Sequence, residues 1–420
     1  MRALFNFCFL LFLGFEIPGQ NLKSLTIEDC YILSKQYYPL TKQRELIEKS
    51  RDYSIENASK GYLPQINIGG QATYQSDVTK IPITLPNTTI KTLSQDQYKL
   101  YGEINQPLTD AFIIREQKEL ITSNATIEEQ KTEVELYKLK DRINQLFFGA
   151  ILMEEQLRQV ELLRKDIQSG MDKINAALAN GTALKSNIDV LKSELLKTDQ
   201  RSIELKSSRK AYIEMLGLLI NQTLSETITL ERPQSKVPLQ GISRPEVALF
   251  DQQVKIFESQ DKLLIAKNFP RVSLFFQEGY GKPGLNMLSN NFDFYYIGGI
   301  RFNWALSSFY TFKKERMLLN VNQNILNIQK ETFLFNTTIT LQQQSNEIIR
   351  LQELIKLDTD IILLRSNIKN VANTQLENGI ITANDYLREV NAEDQSKQNL
   401  LLHQIQLLSA QYNYQTTAGN

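Results

Sequence analysis

The chain has 420 residues, in which 47 lysine and arginine residues balance 47 aspartate and glutamate residues. A formal net charge of zero provides no basic footprint for nucleic acid, and the sequence contains one histidine, no paired-cysteine motif and no glycine-rich phosphate loop. This composition argues against an enzyme and implies no metal and no cofactor.

The amino terminus has the three parts of a secretory signal. Arg2 precedes an apolar run over 4–15, and small residues follow it. Because the run is shorter than the ~20 apolar residues that a spanning helix needs, a signal peptide over 1–19 is favoured over a membrane anchor. Its removal would take Cys8 away and leave Cys30 without an intrachain disulfide partner.

The rest of the chain is an internal repeat. The segments Asn105 to Gly181 and Asn303 to Gly379 each cover 76 steps, and each runs from an alternating apolar segment into a long helical pattern. We therefore expect a first structural repeat over 21–220, a linker over 221–244 and a second structural repeat over 245–416. Each repeat would contain a helix, a β-hairpin and a long helix pair.

Alternating apolar and polar residues predict four strands. They cover 66–75, 98–105, 272–280 and 292–304. The last strand places aromatic residues on one face, namely Phe292, Phe294, Tyr296, Phe302 and Trp304. Strands of about 10 residues with one apolar face and aromatic ends are typical of a transmembrane β-barrel, in which that face contacts lipid. A soluble hairpin with one face on a core is the alternative.

Four strands are too few to close a membrane barrel. Such barrels begin at about eight strands, and an open edge in lipid leaves backbone groups without hydrogen-bond partners. Two copies of four strands would give eight strands around a filled interior, and three copies would give twelve around an open lumen. The strands therefore predict an oligomer, and a channel favours three copies.

Two long stretches without proline, 108–232 and 284–420, leave room for unusually long helices. A single helix from Asp110 to Ala179 would be about 105 Å long at about 1.5 Å per residue. Both stretches carry apolar residues at alternating spacings of three and four, as in a coiled coil. The first seam is Leu136, Leu139, Ile143, Leu146, Ala150, Met153, Leu157, Val160, Ile167, Met171, Ile174 and Leu178, interrupted by Arg164; the second seam is Leu354, Leu357, Ile361, Leu364, Ile368 and Val371.

Charged residues distinguish the two seams. Asp358, Arg365 and Lys369 lie near the face of the second seam. Since polar residues at a seam lower its stability, we expect the second helix pair to be the one that moves.

Each long helical stretch ends at a glycine. The first tip is Asn180, Gly181 and Thr182, and the second tip is Asn378, Gly379 and Ile380. Glycine adopts positive φ without steric cost, so both tips predict a left-handed helix stop. After the second tip, Thr382 is the predicted N-cap of the return helix.

The order and spacing of these motifs resemble the TolC family of outer-membrane efflux channels, over essentially the whole chain after the signal. The phrases that carry the resemblance are Leu63-Pro64-Gln65-Ile66, Gln106-Pro107-Leu108, the two glycine tips, Asp189-Val190-Leu191 and Arg244-Pro245-Glu246. The resemblance implies a mainly α chain with four β-strands and long coiled-coil helical hairpins. Three copies would complete a 12-stranded β-barrel in the outer membrane and an α-helical barrel through the periplasm.

The resemblance also implies partners. The protein would be the outer-membrane channel of a tripartite efflux or type I secretion system, a homotrimer in outer-membrane lipid. The two tips would contact a periplasmic adaptor (membrane fusion) protein, and an inner-membrane RND, ABC or similar pump would deliver the substrate. A soluble periplasmic coiled-coil scaffold or adaptor is the alternative, although such a protein has no need of apolar strands.

In this family an Asp-x-x-Asp pair after the second tip narrows the periplasmic entrance. Here the two positions hold Asp385 and Arg388. An arginine at the second position could pair with a carboxylate, where the family has a second acidic ring. The predicted gate is therefore not doubly acidic.

The first repeat offers Asp189 and Lys192 as the corresponding gate residues. Asp189 follows its tip glycine by eight positions, whereas Asp385 follows its own by six. Either two residues are inserted at the first tip, or Asn187 takes the place equivalent to Asp385.

Overall fold

The computed structural model describes residues 24–79, 93–181, 183–236 and 241–419. The predicted signal peptide over 1–19 lies outside the described residues. The chain divides into two compact units, and each predicted repeat contributes to both. The helical unit consists of the described residues within 1–38, 139–239 and 342–416, and the sheet unit of those within 39–138, 240–341 and 417–420.

Long helices dominate the described chain. The helices are α1 (Ile27–Tyr37), α2 (Gln43–Ser59), α3 (Ala111–Tyr137), α4 (Leu139–Ala179), α5 (Lys185–Ile220), α6 (Pro245–Lys267), α7 (Phe309–Glu377) and α8 (Ala383–Ala418). The strands are β1 (Ser24–Leu25), β2 (Gln65–Tyr74), β3 (Asp96–Pro107), β4 (Thr229–Leu230), β5 (Arg271–Lys282) and β6 (Asp293–Asn303). A mainly α chain with four long strands is the predicted fold class.

The sheet unit contains one antiparallel sheet with the strand order β2-β3-β5-β6. The two hairpins, one from each repeat, join where β3 pairs with β5, as in the pair Ile104 and Phe276. The four predicted strands are therefore confirmed. Among the described residues, β2 and β6 each pair with a single neighbouring strand, so they form the two edges of the sheet.

The structure corrects two details of the apolar face. β6 ends at Asp293 and Asn303, so Phe292 and Trp304 lie just beyond it. Trp304 is held there because its indole N–H donates to the Asn268 carbonyl at 3.1 Å. On β5, Glu278 interrupts the apolar row between Gly102 of β3 and Tyr296 of β6.

The predicted helix from Asp110 to Ala179 is two helices, α3 and α4, separated by Lys138 alone. Lys138 keeps helical dihedral angles (φ −61°, ψ −19°), and its N–H donates to the Val134 carbonyl at 3.3 Å. The interruption is therefore a local change in the hydrogen-bond ladder. α7, in contrast, is continuous over 69 residues.

The first seam forms the core of the helical unit, where α4 packs along α5. Its buried members in α4 are Leu139, Ile143, Leu146, Ala150, Val160, Ile167 and Ile174, while Arg164 is exposed. The polar interruption thus lies on the outer side, where its charge remains in water.

The second seam is not packed within the described chain. Most of its large side chains are exposed in the described chain, namely Leu357, Ile361, Leu364, Ile368 and Val371. α7 uses another face, with Leu351, Ala372 and Leu376, to pack within the helical unit. The heptad pattern correctly identified an apolar edge of α7 but not a partner for it.

A candidate gate at the helix tips

Both tips end their helices with glycine in the left-handed conformation. Gly181 has φ +74° and Gly379 has φ +68°, as the sequence predicts. A Cβ at either position would meet no atom within 4 Å, so the backbone conformation and not space demands glycine. At the second tip, the Ile380 N–H donates to the Gln375 carbonyl at 2.9 Å, which closes the helix end. Thr182 of the first tip lies outside the described residues.

The two turns have the same length, so no residues are inserted at the first tip. α5 begins at Lys185 and α8 at Ala383, each four positions after its glycine. The third residue of α5 is Asn187, and the third residue of α8 is Asp385. Asn187 therefore occupies the place equivalent to Asp385, and Asp189 lies further along its helix.

The start of α8 has the side-chain cap that the sequence predicts. The Asp385 N–H donates to the Thr382 hydroxyl oxygen at 3.2 Å. In return, the Thr382 N–H and hydroxyl donate to the Asp385 carboxylate at 3.3 and 2.7 Å. These bonds, with the nearby Arg388 guanidinium, hold the pKa of Asp385 below its usual value. α5 has no such cap at Leu184.

Arg388 pairs with acidic neighbours on its own helix. Its guanidinium lies 3.7 Å from the Asp385 carboxylate and 3.1 Å from the Glu389 carboxylate. Glu389 also lies 3.5 Å from the guanidinium of Arg365 on α7. The Arg388 side chain is 71% exposed, so these are surface pairs that position the arginine but stabilise the chain only slightly.

The predicted gate residues are partly brought together. Arg388 and Asp189 line the same groove between α5 and α8, and Arg388 and Asp385 line another groove between α7 and α8. Lys192 lies exposed on α5. Arg388 thus lies between two grooves, and each groove contains one of the two predicted aspartates.

Apolar packing joins the four tip helices. α4, α5, α7 and α8 meet in a buried cluster that includes Leu163, Ile167, Ile174, Leu191, Ala372, Leu376, Ala383, Tyr386, Leu387 and Val390. Within it the Tyr386 ring lies against Gly170, where a Cβ would stand 2.6 Å from the ring. The Tyr386 hydroxyl donates to the Asp166 carbonyl at 3.2 Å. One aromatic side chain therefore ties α8 to α4.

A charged network near this cluster was missed by sequence reasoning. The Lys369 ammonium on α7 lies 3.0 Å from the Asp166 carboxylate on α4 and 2.9 Å from the Glu393 carboxylate on α8. Glu393 also accepts a hydrogen bond from the Ser366 hydroxyl at 2.5 Å and pairs with Lys397 at 3.0 Å. The only signal in the sequence was Lys369 beside an apolar seam, which named neither partner.

Both central members of the network are held charged. Burial raises the pKa of Glu393, but hydrogen bonds from Ser366, Lys369 and Lys397 outweigh it and bring the pKa below its usual value. Burial lowers the pKa of Lys369, but hydrogen bonds to Glu393 and Asp166 outweigh it and bring that pKa above its usual value. The network is an ionic link between α4, α7 and α8.

The remaining charged residues of the second seam are also paired. The Asp358 carboxylate lies 2.6 Å from Nδ1 of His403 on α8, and both side chains are largely buried. The charged groups of Asp358, Arg365 and Lys369 contact residues of α8 or α4. The apolar side chains of the seam face outward.

Comparison with known proteins identifies the fold. No family model matches the chain, and no curated protein matches it. Among solved structures it is similar to the outer membrane protein VceC from Vibrio cholerae, with a TM-score of 0.66 and 13% identity over 94% of this chain and 96% of that one. It is also similar to the Neisseria gonorrhoeae MtrE outer membrane channel in its open state, with a TM-score of 0.67 and 13% identity over 94% and 89% of the two chains. It is similar as well to the Campylobacter jejuni CmeC outer membrane channel, with a TM-score of 0.62 and 10% identity over 94% of this chain and 85% of that one.

The chain has the TolC-like channel fold. The resemblance drawn from the sequence is thereby confirmed, and so is the predicted fold class of a single chain. Because the identities are low, the likeness is one of fold.

One face of the sheet exposes Phe294, Tyr296 and Phe302 of the predicted membrane-facing residues, whereas Phe292 and Trp304 lie just beyond β6. Phe294 and Tyr296 of β6 are 80% and 71% exposed, and Ile68 of β2 is 83% exposed. None of the described helices is apolar over a stretch long enough to cross a bilayer. Within the described residues no group of three or more His, Cys, Asp or Glu side chains could hold a metal ion.

Proposed function

We propose that the chain is the outer-membrane channel subunit of a tripartite efflux or type I secretion system and works as a homotrimer. The observation that carries this proposal is the sheet. One face exposes large apolar side chains such as Ile68, Phe294 and Tyr296 to solvent, which a chain that remained in water would bury. β2 and β6 are 10 and 11 residues long, which matches the hydrocarbon thickness of a bilayer.

Closure of the sheet requires further copies of the chain. In lipid, each unpaired backbone group at the edges β2 and β6 would cost several kcal/mol. Pairing β6 of one copy with β2 of the next removes these edges, and three copies of a 4-stranded sheet give a twelve-stranded barrel with an open lumen. The trimer is therefore the smallest assembly that both seals the sheet and leaves a pore.

The exposed second seam supports the same assembly. Leu364 is 63% exposed and Leu357 58% exposed, although both follow the spacing of a coiled coil. A different surface of a neighbouring copy is a suitable partner for such an edge, because each interface of a cyclic trimer joins two different surfaces. The trimer would then bury apolar surface in both units of the chain.

The likeness to outer-membrane channels supports the remaining parts of the proposal. The sheet lies in the outer membrane and the helices extend through the periplasm. The first tip (Asn180, Gly181 and Thr182) and the second tip (Asn378, Gly379 and Ile380) contact a periplasmic adaptor protein. An inner-membrane RND, ABC or similar pump delivers the substrate to the channel.

The gate opens when α7 and α8 move together away from α4. Polar contacts join α7 and α8 to α4 at several residues of α4, namely Asp166, Lys173, Gln159 and Asn144. Asp166 accepts the bonds of Lys369 and Tyr386. The bonds of Glu393 to Ser366 and Lys369 join α7 to α8 and travel with the moving pair. Opening therefore breaks the polar contacts near the tips, among them those at Asp166, as well as apolar contacts of the tip cluster.

Membrane fractionation and bilayer recording test the proposed function together. The native protein should be found in the outer-membrane fraction, purify in detergent as a trimer, and conduct ions in a planar bilayer. A monomer that is soluble without detergent would overturn the proposal and favour the periplasmic scaffold or adaptor.

Substitution of Lys369→Met tests the gate. It removes the link to Asp166, which is partly exposed and can be solvated, while Glu393 keeps its bonds to Ser366 and Lys397. We expect the open probability of the channel in a planar bilayer to rise by about tenfold. This corresponds to a loss of about 1.4 kcal/mol in the stability of the closed gate relative to the open gate.

Lys397→Met is the matched control for this gate variant. Lys397 pairs with Glu393 within α8 and so does not join α8 to α4. The control should conduct like the native protein. Equal open probabilities in the two variants would exclude the Lys369 link as part of the gate.

A further inference from the structure

The polar face of the sheet carries three aromatic rings, and each stands directly opposite a glycine on the neighbouring strand. Tyr101 of β3 pairs with Gly69 of β2. Phe275 of β5 pairs with Gly299 of β6, and Gly279 of β5 pairs with Tyr295 of β6. Opposed residues share one face of a sheet, so each ring and its glycine lie on the same side.

Each ring occupies the space that a side chain on its glycine would need. A Cβ on Gly69 would stand 2.7 Å from the Tyr101 ring, and a Cβ on Gly279 would stand 2.7 Å from the Tyr295 ring. A Cβ on Gly299 would stand 3.2 Å from the Phe275 ring. The rings therefore lie flat over the neighbouring strand.

Exposure distinguishes these rings from the aromatic residues of the opposite face. Tyr295 is only 7% exposed, although it lies on an uncovered face of the sheet. Its chain neighbours Phe294 and Tyr296, which point to the other face, are 80% and 71% exposed. The backbone is the same, so the difference comes from what lies opposite each ring.

Polar side chains hold the rings in this position. The Arg301 guanidinium lies over the Phe275 ring at 4.5 Å from its centroid, and it pairs with the Glu103 carboxylate at 2.8 Å. Phe275 is thus clamped between Gly299 and Arg301. The Tyr295 hydroxyl accepts a hydrogen bond from the Gln277 side-chain amide at 3.3 Å.

We propose that Gly69, Gly279 and Gly299 set the bore of the channel by allowing these rings to lie flat on its inner wall. This proposal rests on the proposed function, in which the polar face of the sheet lines the lumen. A side chain at any of the three glycines would displace its aromatic partner from the wall into the lumen. Because the trimer repeats the substitution three times around the pore, each displaced ring narrows the pore from three sides.

The test compares Gly69→Val with Gly102→Val in planar bilayers. Gly102 lies on the apolar face of β3, and a Cβ there would meet no atom within 4 Å. In the Lys369→Met background, which favours the open gate, Gly69→Val should reduce single-channel conductance to about half or less, since conductance follows pore diameter. Gly102→Val should leave conductance unchanged.

A second variant separates a narrowed pore from a folding defect. Removing the displaced ring in Gly69→Val/Tyr101→Ala should restore conductance to the native value or above. Nitration of tyrosines, mapped by mass spectrometry, should show that Tyr101 becomes more reactive in Gly69→Val, where the Tyr101 ring is the group that a Cβ would meet.

The possible outcomes distinguish the two proposals. Equal conductance in Gly69→Val and Gly102→Val, or no recovery in the double variant, overturns the role of the glycines. The proposed channel function is not affected by either result. If conductance falls more in Gly102→Val than in Gly69→Val, the polar face does not line the lumen. This result also overturns the proposed role of the glycines. A native trimer that does not conduct ions overturns the proposed function and, with it, the proposal that the three glycines set the bore.

Discussion

The two seams follow the same spacing but meet different surroundings. In the first seam, Ile143 and Ile167 are 0% exposed, because α4 packs along α5 within the helical unit. In the second seam, Leu364 and Leu357 are more than half exposed. Spacing in a sequence therefore shows that a helix has an apolar edge, whereas the partner of that edge is a property of the whole assembly.

The charged residues complete the comparison. Arg164 interrupts the first seam on its exposed side, where water solvates it. Lys369 and Asp358, beside the second seam, turn inward to form ionic or hydrogen-bonded pairs. The first seam is thus an internal core, and the second seam is an outward apolar edge of a helix whose inner side carries both charged and apolar side chains.

The largest expected effect is the loss of packing in the first seam. Ile143→Ala should lower the free energy of unfolding by about 2–5 kcal/mol, because it leaves a cavity in a fully buried site. Thermal unfolding followed by circular dichroism measures the effect. The decrease of the midpoint relative to the native protein should be the same at every protein concentration.

Leu364→Ala is the matched control for this prediction. Its side chain is exposed within the chain, so it should destabilise only the assembly. Any decrease in its unfolding midpoint should therefore depend on protein concentration. An equal, concentration-independent decrease in both variants would show that the second seam is packed within a single chain.

An intermediate effect is expected on assembly. Leu364→Asp places a charge on the apolar edge of α7 and should raise the dissociation constant of the trimer at least about tenfold, which corresponds to about 1.4 kcal/mol. Light scattering in detergent measures the oligomeric state. Gln352→Asp, at an exposed polar position of α7, should leave the trimer intact. A trimer that tolerates Leu364→Asp would exclude this edge from the interface.

The smallest expected effect concerns pH. The pKa of Glu393 in the folded chain lies below its ordinary value of 4.5, so its stabilising contribution is complete above pH 4.5 and is lost as the pH falls through the lower folded value. We expect the thermal unfolding midpoint of the native protein to fall on acidification below pH 4.5.

The Glu393→Gln variant isolates this carboxylate from other titrating groups. It lacks the charge at every pH, so its unfolding midpoint should be lower than the native value at pH 7 and should change less on acidification. Parallel pH profiles of the two proteins would assign the change to another group.

Local patterns were sufficient to predict much of the fold and part of the site. The strands follow from alternation, the tips follow from glycine at positive φ, and the Thr382 cap follows from a hydroxyl three residues before Asp385. Each depends on residues that are close in sequence. The break at Lys138 escaped prediction because no proline or glycine marks it.

Contacts between distant residues could not be predicted in this way. Asp166 is 203 residues away from Lys369, and nothing local indicates that the two meet. The choice between Asn187 and Asp189 also needed the structure, because it depends on where α5 begins.

The sequence by itself determined the elements of this protein, because hydrophobic periodicity, helix caps and glycine conformation act over a few residues. It also indicated the TolC-like fold through the order of those elements. The tertiary structure alone decided which seam is a core and which is an exposed edge, which charges join α7 and α8 to α4, and which aromatic rings lie flat over glycine. These features depend on the distances between groups far apart in the chain, and only folding brings such groups into contact.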